Sequence, residues 1–168
     1  TAEDGQHLIA VEQEVPLGDT PAAQARAIVQ AQLTAVPAEP LGAAVPEGSR
    51  LRTLFVSDRG EVFVDVDSAI RTKHPGGSMQ ELLTVYAIVN AVLTNMPTLQ
   101  GVQILIDGRE ADTLAGHVDL RRPLTKASLW LSPAGEPPAP GPVPLPRSPP
   151  DCSAPRKPRL HSRRSTRP

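Results

Sequence analysis

The sequence predicts a small α/β domain of the α+β kind, with a mixed, mostly antiparallel sheet and two helices on one of its faces. Three observations carry that expectation. Residues 51–67 alternate like a hairpin. Two segments, 20–36 and 78–96, repeat apolar residues at helical spacing. A near-continuous apolar run over 102–106 closes on Asp107-Gly108. The resulting order, β-α-β-β-α-β-β, is satisfied by two layers, helices packed on a sheet.

Residues 7–15, HLIAVEQEV, alternate loosely and predict a first strand with Ile9, Val11 and Val15 on one side. A helix should follow, capped by Asp19 or Thr20 and opened by Pro21, with Ala25, Ile28, Val29, Leu33 and Val36 on its inner stripe. Pro37 ends it, and residues 37–49, rich in Pro, Gly and Ala, read as a loop. The runs 51–57 and 61–67 flank SDRG, a tight turn ending on Gly60. In the second run Val62, Val64 and Val66 face one way, and Phe63, Asp65 and Asp67 the other.

The next helix opens at HPGGSMQE. Ser78 and Glu81 have the spacing of a capping box, each able to satisfy the other's free amide. Leu82, Tyr86, Val89, Leu93 and Met96 form its expected inner stripe, widened by Ala87, Ile88, Ala91 and Val92. After Pro97, VQILIDGRE predicts a buried strand turning at Asp107-Gly108, with a return strand over about 109–114. GHVDL and ASLWL (127–131) are candidate edge strands, and Trp130 is expected to pack on the sheet.

Charge divides the chain. Residues 1–132 hold ten Lys or Arg and sixteen Asp or Glu, a net of about −6, and suit one domain. Residues 133–168 hold seven Lys or Arg, two acids and 12 prolines, a net of about +5, and are expected to form a disordered basic tail. The one cysteine, Cys152, excludes an intrachain disulfide and a Cys-rich zinc site. No stretch is apolar enough to span a membrane.

Several motifs stand in order: VFVDVDS (62–68), HPGGSMQELL (74–83), VNAVLTNMPTLQGVQILIDG (89–108) and LAGHVDLRRPL (114–124). Together they resemble the GerMN domain of the sporulation and spore-germination protein family, over roughly 1–131. Asp67 and Ala91 are small departures from its usual pattern. The resemblance implies a ring-building-motif-like fold in an extracytoplasmic, often lipid-anchored envelope protein, any signal or anchor lying ahead of Thr1. It also implies no enzymatic activity and no cofactor. Other envelope proteins, or further copies of the chain, are the expected partners.

His117 and Asp119, two apart, would share one face of a strand, their Cα atoms about 6.8 Å apart. A metal would need a third ligand, and His74 or Asp65 are the candidates for it. The reading preferred is structural: His117 pins the segment to a backbone carbonyl or to Asp119, and Gly116 allows close approach. Asp65-x-Asp67-Ser68 has the pattern of a phosphatase nucleophile loop, but on a hairpin strand it reads better as a solvated strand end. Gly76, Gly77 and Ser78 precede a helix as anion-binding loops do. No Gly-Lys-Ser/Thr follows them, so a plain capped helix start is preferred. The clustered arginines of 156–167 lack interleaved aromatics. Specific nucleic-acid binding is therefore not expected, and an anionic wall polymer is the candidate partner for the tail.

The sequence thus nominates no catalytic and no metal residue. Its candidate binding residues are Gly76, Gly77, Ser78, His117 and Asp119. Its candidate structural residues are Asp65, Ser78, Glu81, Asn90, Asp107, Gly108, Gly116, His117 and Asp119.

Overall fold

The structure, a computed structural model, describes residues 1–128 and 131. Seven elements run α1 (Pro21–Thr34), β1 (Leu51–Val56), β2 (Glu61–Val66), α2 (Ala69–Thr72), α3 (Ser78–Asn95), β3 (Gly101–Ile106) and β4 (Arg109–Glu110). The sheet order is β1-β2-β3-β4. β1 and β2 form an antiparallel hairpin, β2 and β3 are parallel, and β4 returns antiparallel to β3. The parallel step requires a crossover, and α2 with α3 supplies it.

Local chemistry explains most boundaries. Thr20 caps α1, its side chain accepting from the Ala23 amide at 3.1 Å, with Pro21 at the first helical position. The turn between β1 and β2 closes through Gly60, whose N–H donates to the Ser57 carbonyl at 2.9 Å and whose φ is 78°. Asp107 (φ 51°) and Gly108 (φ 74°) both take the left-handed conformation that a two-residue hairpin turn demands.

Val62, Val64 and Val66 are buried, as the alternation requires, and share one core with Val102, Ile104 and Ile106 of β3. α1 packs on this core against β1 and α3, and α3 packs against β3. Ala25, Ile28, Val29 and Leu33 are the buried side of α1. α3 is buried on more than one side, through Leu83, Val85, Ile88, Val89 and Val92 among others, while Tyr86 and Met96 are only partly covered.

Four expectations about the elements are corrected. Residues 7–15 form no strand: only Leu8 bridges, to Leu131, and Val11 is 66% exposed. Alternation shows that a segment can pair, not that a neighbouring strand exists for it. Val36 is 93% exposed, because α1 stops at Thr34, whose hydroxyl donates back to the Gln30 carbonyl at 2.8 Å. The return strand after Gly108 is only Arg109–Glu110. GHVDL is a sequence of bends rather than a strand, with Gly116 at φ 104°. The short helix α2 was not foreseen. Of ASLWL, Ala127, Ser128 and Leu131 are described, Leu131 only in its single bridge to Leu8, while Trp130 and the whole of 133–168 lie outside the described residues. No described helix is long and apolar enough to cross a membrane.

Candidate functional site

From Asp107 to Ser128 the chain has almost no regular structure, so its backbone groups need partners from elsewhere. A set of buried polar side chains provides them. Glu81, in the first turn of α3, is 0% exposed. Its carboxylate accepts from the amides of Leu114 and His117, both at 2.8 Å, and faces His117 Nδ1 at 2.9 Å. Burial works against the charged form. Hydrogen bonds from the 115–118 backbone and from the His117 side chain outweigh it and hold the carboxyl below the usual glutamate range.

Asn90, two turns further along α3, does the same for Ala127. Its Nδ2 donates to the Ala127 carbonyl at 3.0 Å and its Oδ1 accepts from the Ala127 amide at 3.1 Å, which satisfies both groups of that residue. Gln103 donates to the Arg121 carbonyl at 3.2 Å. Asp65 accepts from the Gly108 amide at 2.7 Å and from Arg52 at 3.3 Å, so it fixes the β3–β4 turn. Among the described residues no buried side-chain polar atom lacks a partner.

The capping box is therefore a misreading. Gly77, at φ 88°, is the N-cap of α3, no side chain caps it, and Ser78 is exposed. Glu81 turns away from Ser78 because the unpaired amides of the 114–117 turn claim it. Glu81 was legible only as a motif residue; its partners lie more than 30 residues away and left no local signal.

His117 and Asp119 do not share a strand face. His117 goes to Glu81, and Asp119 forms a two-point pair with the Arg121 guanidinium at 2.9 and 2.8 Å. That pair, with the Arg121 amide, holds the Asp119 carboxyl well below its usual range and raises Arg121. The hydrogen-bond partner of the His117 side chain is Glu81 rather than a carbonyl or Asp119. The close-approach role given to Gly116 is also corrected. A Cβ there would meet nothing within 4 Å, and the positive φ is what favours glycine.

Asp65, His74, His117 and Asp119 are not brought together: Asp65 is bound to Gly108 and Arg52, and His74 to Gly76 and Thr84. Among the described residues no three His, Cys, Asp or Glu side chains are arranged to hold a metal. Asp67 accepts from the Arg50 amide at 3.0 Å, a structural use of the second aspartate.

The Gly76-Gly77 loop is ordered by His74. Its Nδ1 accepts from the Gly76 amide at 3.0 Å, which assigns the proton to Nε2, 3.3 Å from Thr84 Oγ1. The Thr84 hydroxyl donates in turn to the Ala44 carbonyl at 2.7 Å, tying this loop to the 37–49 loop. Both glycines have positive φ and open space where a Cβ would stand. An open groove of about 770 Å³, which the sequence did not signal, lies between α2 and the 106–114 turn, with Arg71, Arg109, Asp107, Glu110 and Asp112 on its walls. The Arg71 guanidinium crosses to the Thr113 carbonyl at 2.7 Å.

Against known structures the fold is similar to a Clostridium perfringens protein provisionally described as a lipoprotein, at 20% identity and TM-score 0.56, covering 71% of this chain and 78% of that one. It is also similar to the tandem GerMN domains of the sporulation protein GerM from Bacillus subtilis, at 13% identity and TM-score 0.58, covering 72% of this chain and 42% of that one. These likenesses show the fold. No curated protein sequence matches. A family model, Germane, described as sporulation and spore germination, matches residues 2–112. The matched span takes in α1, the β1–β2 hairpin, α3 and the β3–β4 turn, and the chain belongs to the Germane family.

Proposed function

We propose that this domain is a non-catalytic assembly module of the bacterial cell envelope, serving sporulation or germination by holding other envelope proteins or further copies of itself. One observation carries the reading. Glu81, Asn90, Asp65, His117 and Asp119, five of the polar residues of the motif, are engaged in internal hydrogen bonds, and the first four of them shape a backbone surface. A catalytic site would instead aim such groups into a cleft, with a nucleophile or base free to act. The envelope setting is drawn from the lipoprotein and sporulation relatives and from the family's description. Sedimentation equilibrium of the full chain, with pull-down from envelope extracts, tests the proposal. Self-association or specific capture is expected; a strictly monomeric chain that captures nothing would sink it.

A further inference from the structure

The contacts of His74 admit only one of its protonation states. Nδ1 accepts from the Gly76 amide at 3.0 Å, a role that only a ring nitrogen without a proton can fill. Nε2 lies 3.3 Å from Thr84 Oγ1. The Thr84 hydroxyl has one proton and gives it to the Ala44 carbonyl at 2.7 Å, so its oxygen is left to accept from Nε2–H. A backbone amide on one side and a committed hydroxyl on the other thus both require the neutral ring.

No neighbouring group is placed to hold that ring charged. Among the described residues the histidines in ion pairs are His7, with Asp4, and His117, with Glu81. On α3 the Glu81 carboxylate is turned to the Leu114 and His117 amides. In the 37–49 loop Glu39 and Glu47 are exposed, and neither pairs with the imidazole. Of the nearby cations, Lys73 donates to the Glu47 carbonyl at 3.2 Å, Arg71 to the Thr113 carbonyl at 2.7 Å, and the Thr1 ammonium to the Gly42 carbonyl. An imidazolium would therefore gain no anion, and its Nδ1–H would face the Gly76 N–H, donor against donor. The backbone there has room to give way. Gly76 (φ 86°) and Gly77 (φ 88°) have no atom within 4 Å of where a Cβ would stand, and no side chain caps α3 at Gly77.

We infer that His74 is a proton-operated latch on the Gly76-Gly77 loop. Neutral, the ring holds the loop through Nδ1; charged, it releases the loop at the point where α3 begins. Imidazoles as a class change charge between about pH 5 and 8, so mild acid is the signal. The Gly76 bond is made by the neutral ring alone, so the latch is complete at the upper end of that range and is lost as the ring takes up its proton. Nε2–H survives protonation, so the link through Thr84 to Ala44 is kept and the release is local. The inference goes beyond the assembly reading and does not depend on it.

The test follows the isotope-labelled full-length chain by NMR from about pH 8 to about pH 5. At the upper end the His74 ring nitrogens should report an unprotonated Nδ1, and the Gly76 amide proton should lie downfield, as a hydrogen-bonded amide does. As the ring charges, the Gly76 and Gly77 signals are expected to shift, Gly76 upfield, in step with the ring of His74 and not with those of His7 or His117. His74→Asn sets an amide oxygen where Nδ1 stands, an acceptor that mild acid does not protonate, so its Gly76 signal should stay in the bonded position throughout. His74→Ala has no acceptor, and its Gly76 signal should stay in the released position throughout. Gly76 and Gly77 signals that hold still while the His74 ring charges would overturn the latch. So would a ring that stays neutral down to about pH 5, or a His74→Asn loop that shifts as the wild type's does.

Discussion

Glu81 fixes the 114–117 turn, because a buried carboxylate there answers two amides at once. Glu81→Gln keeps one acceptor oxygen and turns an NH2 toward an N–H. It is expected to cost about 2–4 kcal/mol in urea unfolding. His117→Ala leaves both amide bonds in place and removes a side chain that is 47% exposed, so its cost should stay below about 1 kcal/mol. Acid gives an independent check. Glu81 is held below the ordinary glutamate range in the fold, so the unfolded chain takes up its proton first as pH falls. Its contribution is complete above the ordinary range and is lost as pH drops through the lower folded value. The gap between wild type and Glu81→Gln in urea midpoint should therefore narrow with acidification, and a constant gap would contradict the assignment. The same hydrogen bonds bear on the metal question. His117 Nδ1 faces Glu81 and Asp119 is held by Arg121, so calorimetric titration of the metal-stripped chain with zinc or manganese should give flat traces. Binding tighter than about 1 µM would return His117 and Asp119 to the list of ligands. The sequence marked Glu81, Asn90, His117 and Asp119 as residues of the motif. What each of them holds depends on contacts between distant segments, which no local spacing encodes.

At the level of elements, the readable parts are those whose signals are local. The β1–β2 hairpin was legible because turn chemistry at Gly60 and alternation in 62–66 both act within a few residues. α1 was legible for its Thr20 and Pro21 start and its buried stripe, but not for its end. Val36 continues the apolar spacing after the helix has stopped. The start of α3 shows how two local signals can compete. Ser-x-x-Glu reads as a capping box, yet Gly77 in a left-handed conformation takes the cap position one residue earlier and Glu81 is committed to the 114–117 turn. A matched pair of variants separates the two helix starts. Thr20→Ala removes a cap hydrogen bond and should cost about 1 kcal/mol, whereas Ser78→Ala removes none and should stay within about 0.5 kcal/mol. A capping-box role for Ser78 would show as equal losses for the two. The first strand failed for a different reason: its apolar alternation is real, but among the described residues no strand of the β1–β4 sheet pairs with it and only Leu8 bridges, to Leu131.

Across the whole molecule, the buried apolar core runs from Leu8 to Leu120, and the partly buried residues packed on it reach Leu131. Every one of these side chains lies within the acidic stretch 1–132. The basic stretch 133–168 has 12 prolines in 36 residues and few large apolar side chains, so it has little with which to extend that core. A chain cut after Ser132 should therefore unfold at nearly the full-length temperature, with a shift under about 2 °C. The cut keeps Leu131 and its bridge to Leu8, and keeps Ala127, whose peptide groups Asn90 holds. A small residual difference is expected at low salt, since a segment of about +5 beside a body of about −6 contributes unspecific attraction. That difference should vanish as salt shortens the reach of exposed charges to a few ångströms. A salt-independent fall of many degrees would mean that residues beyond 132 complete the core, and that the domain extends further than its buried side chains indicate.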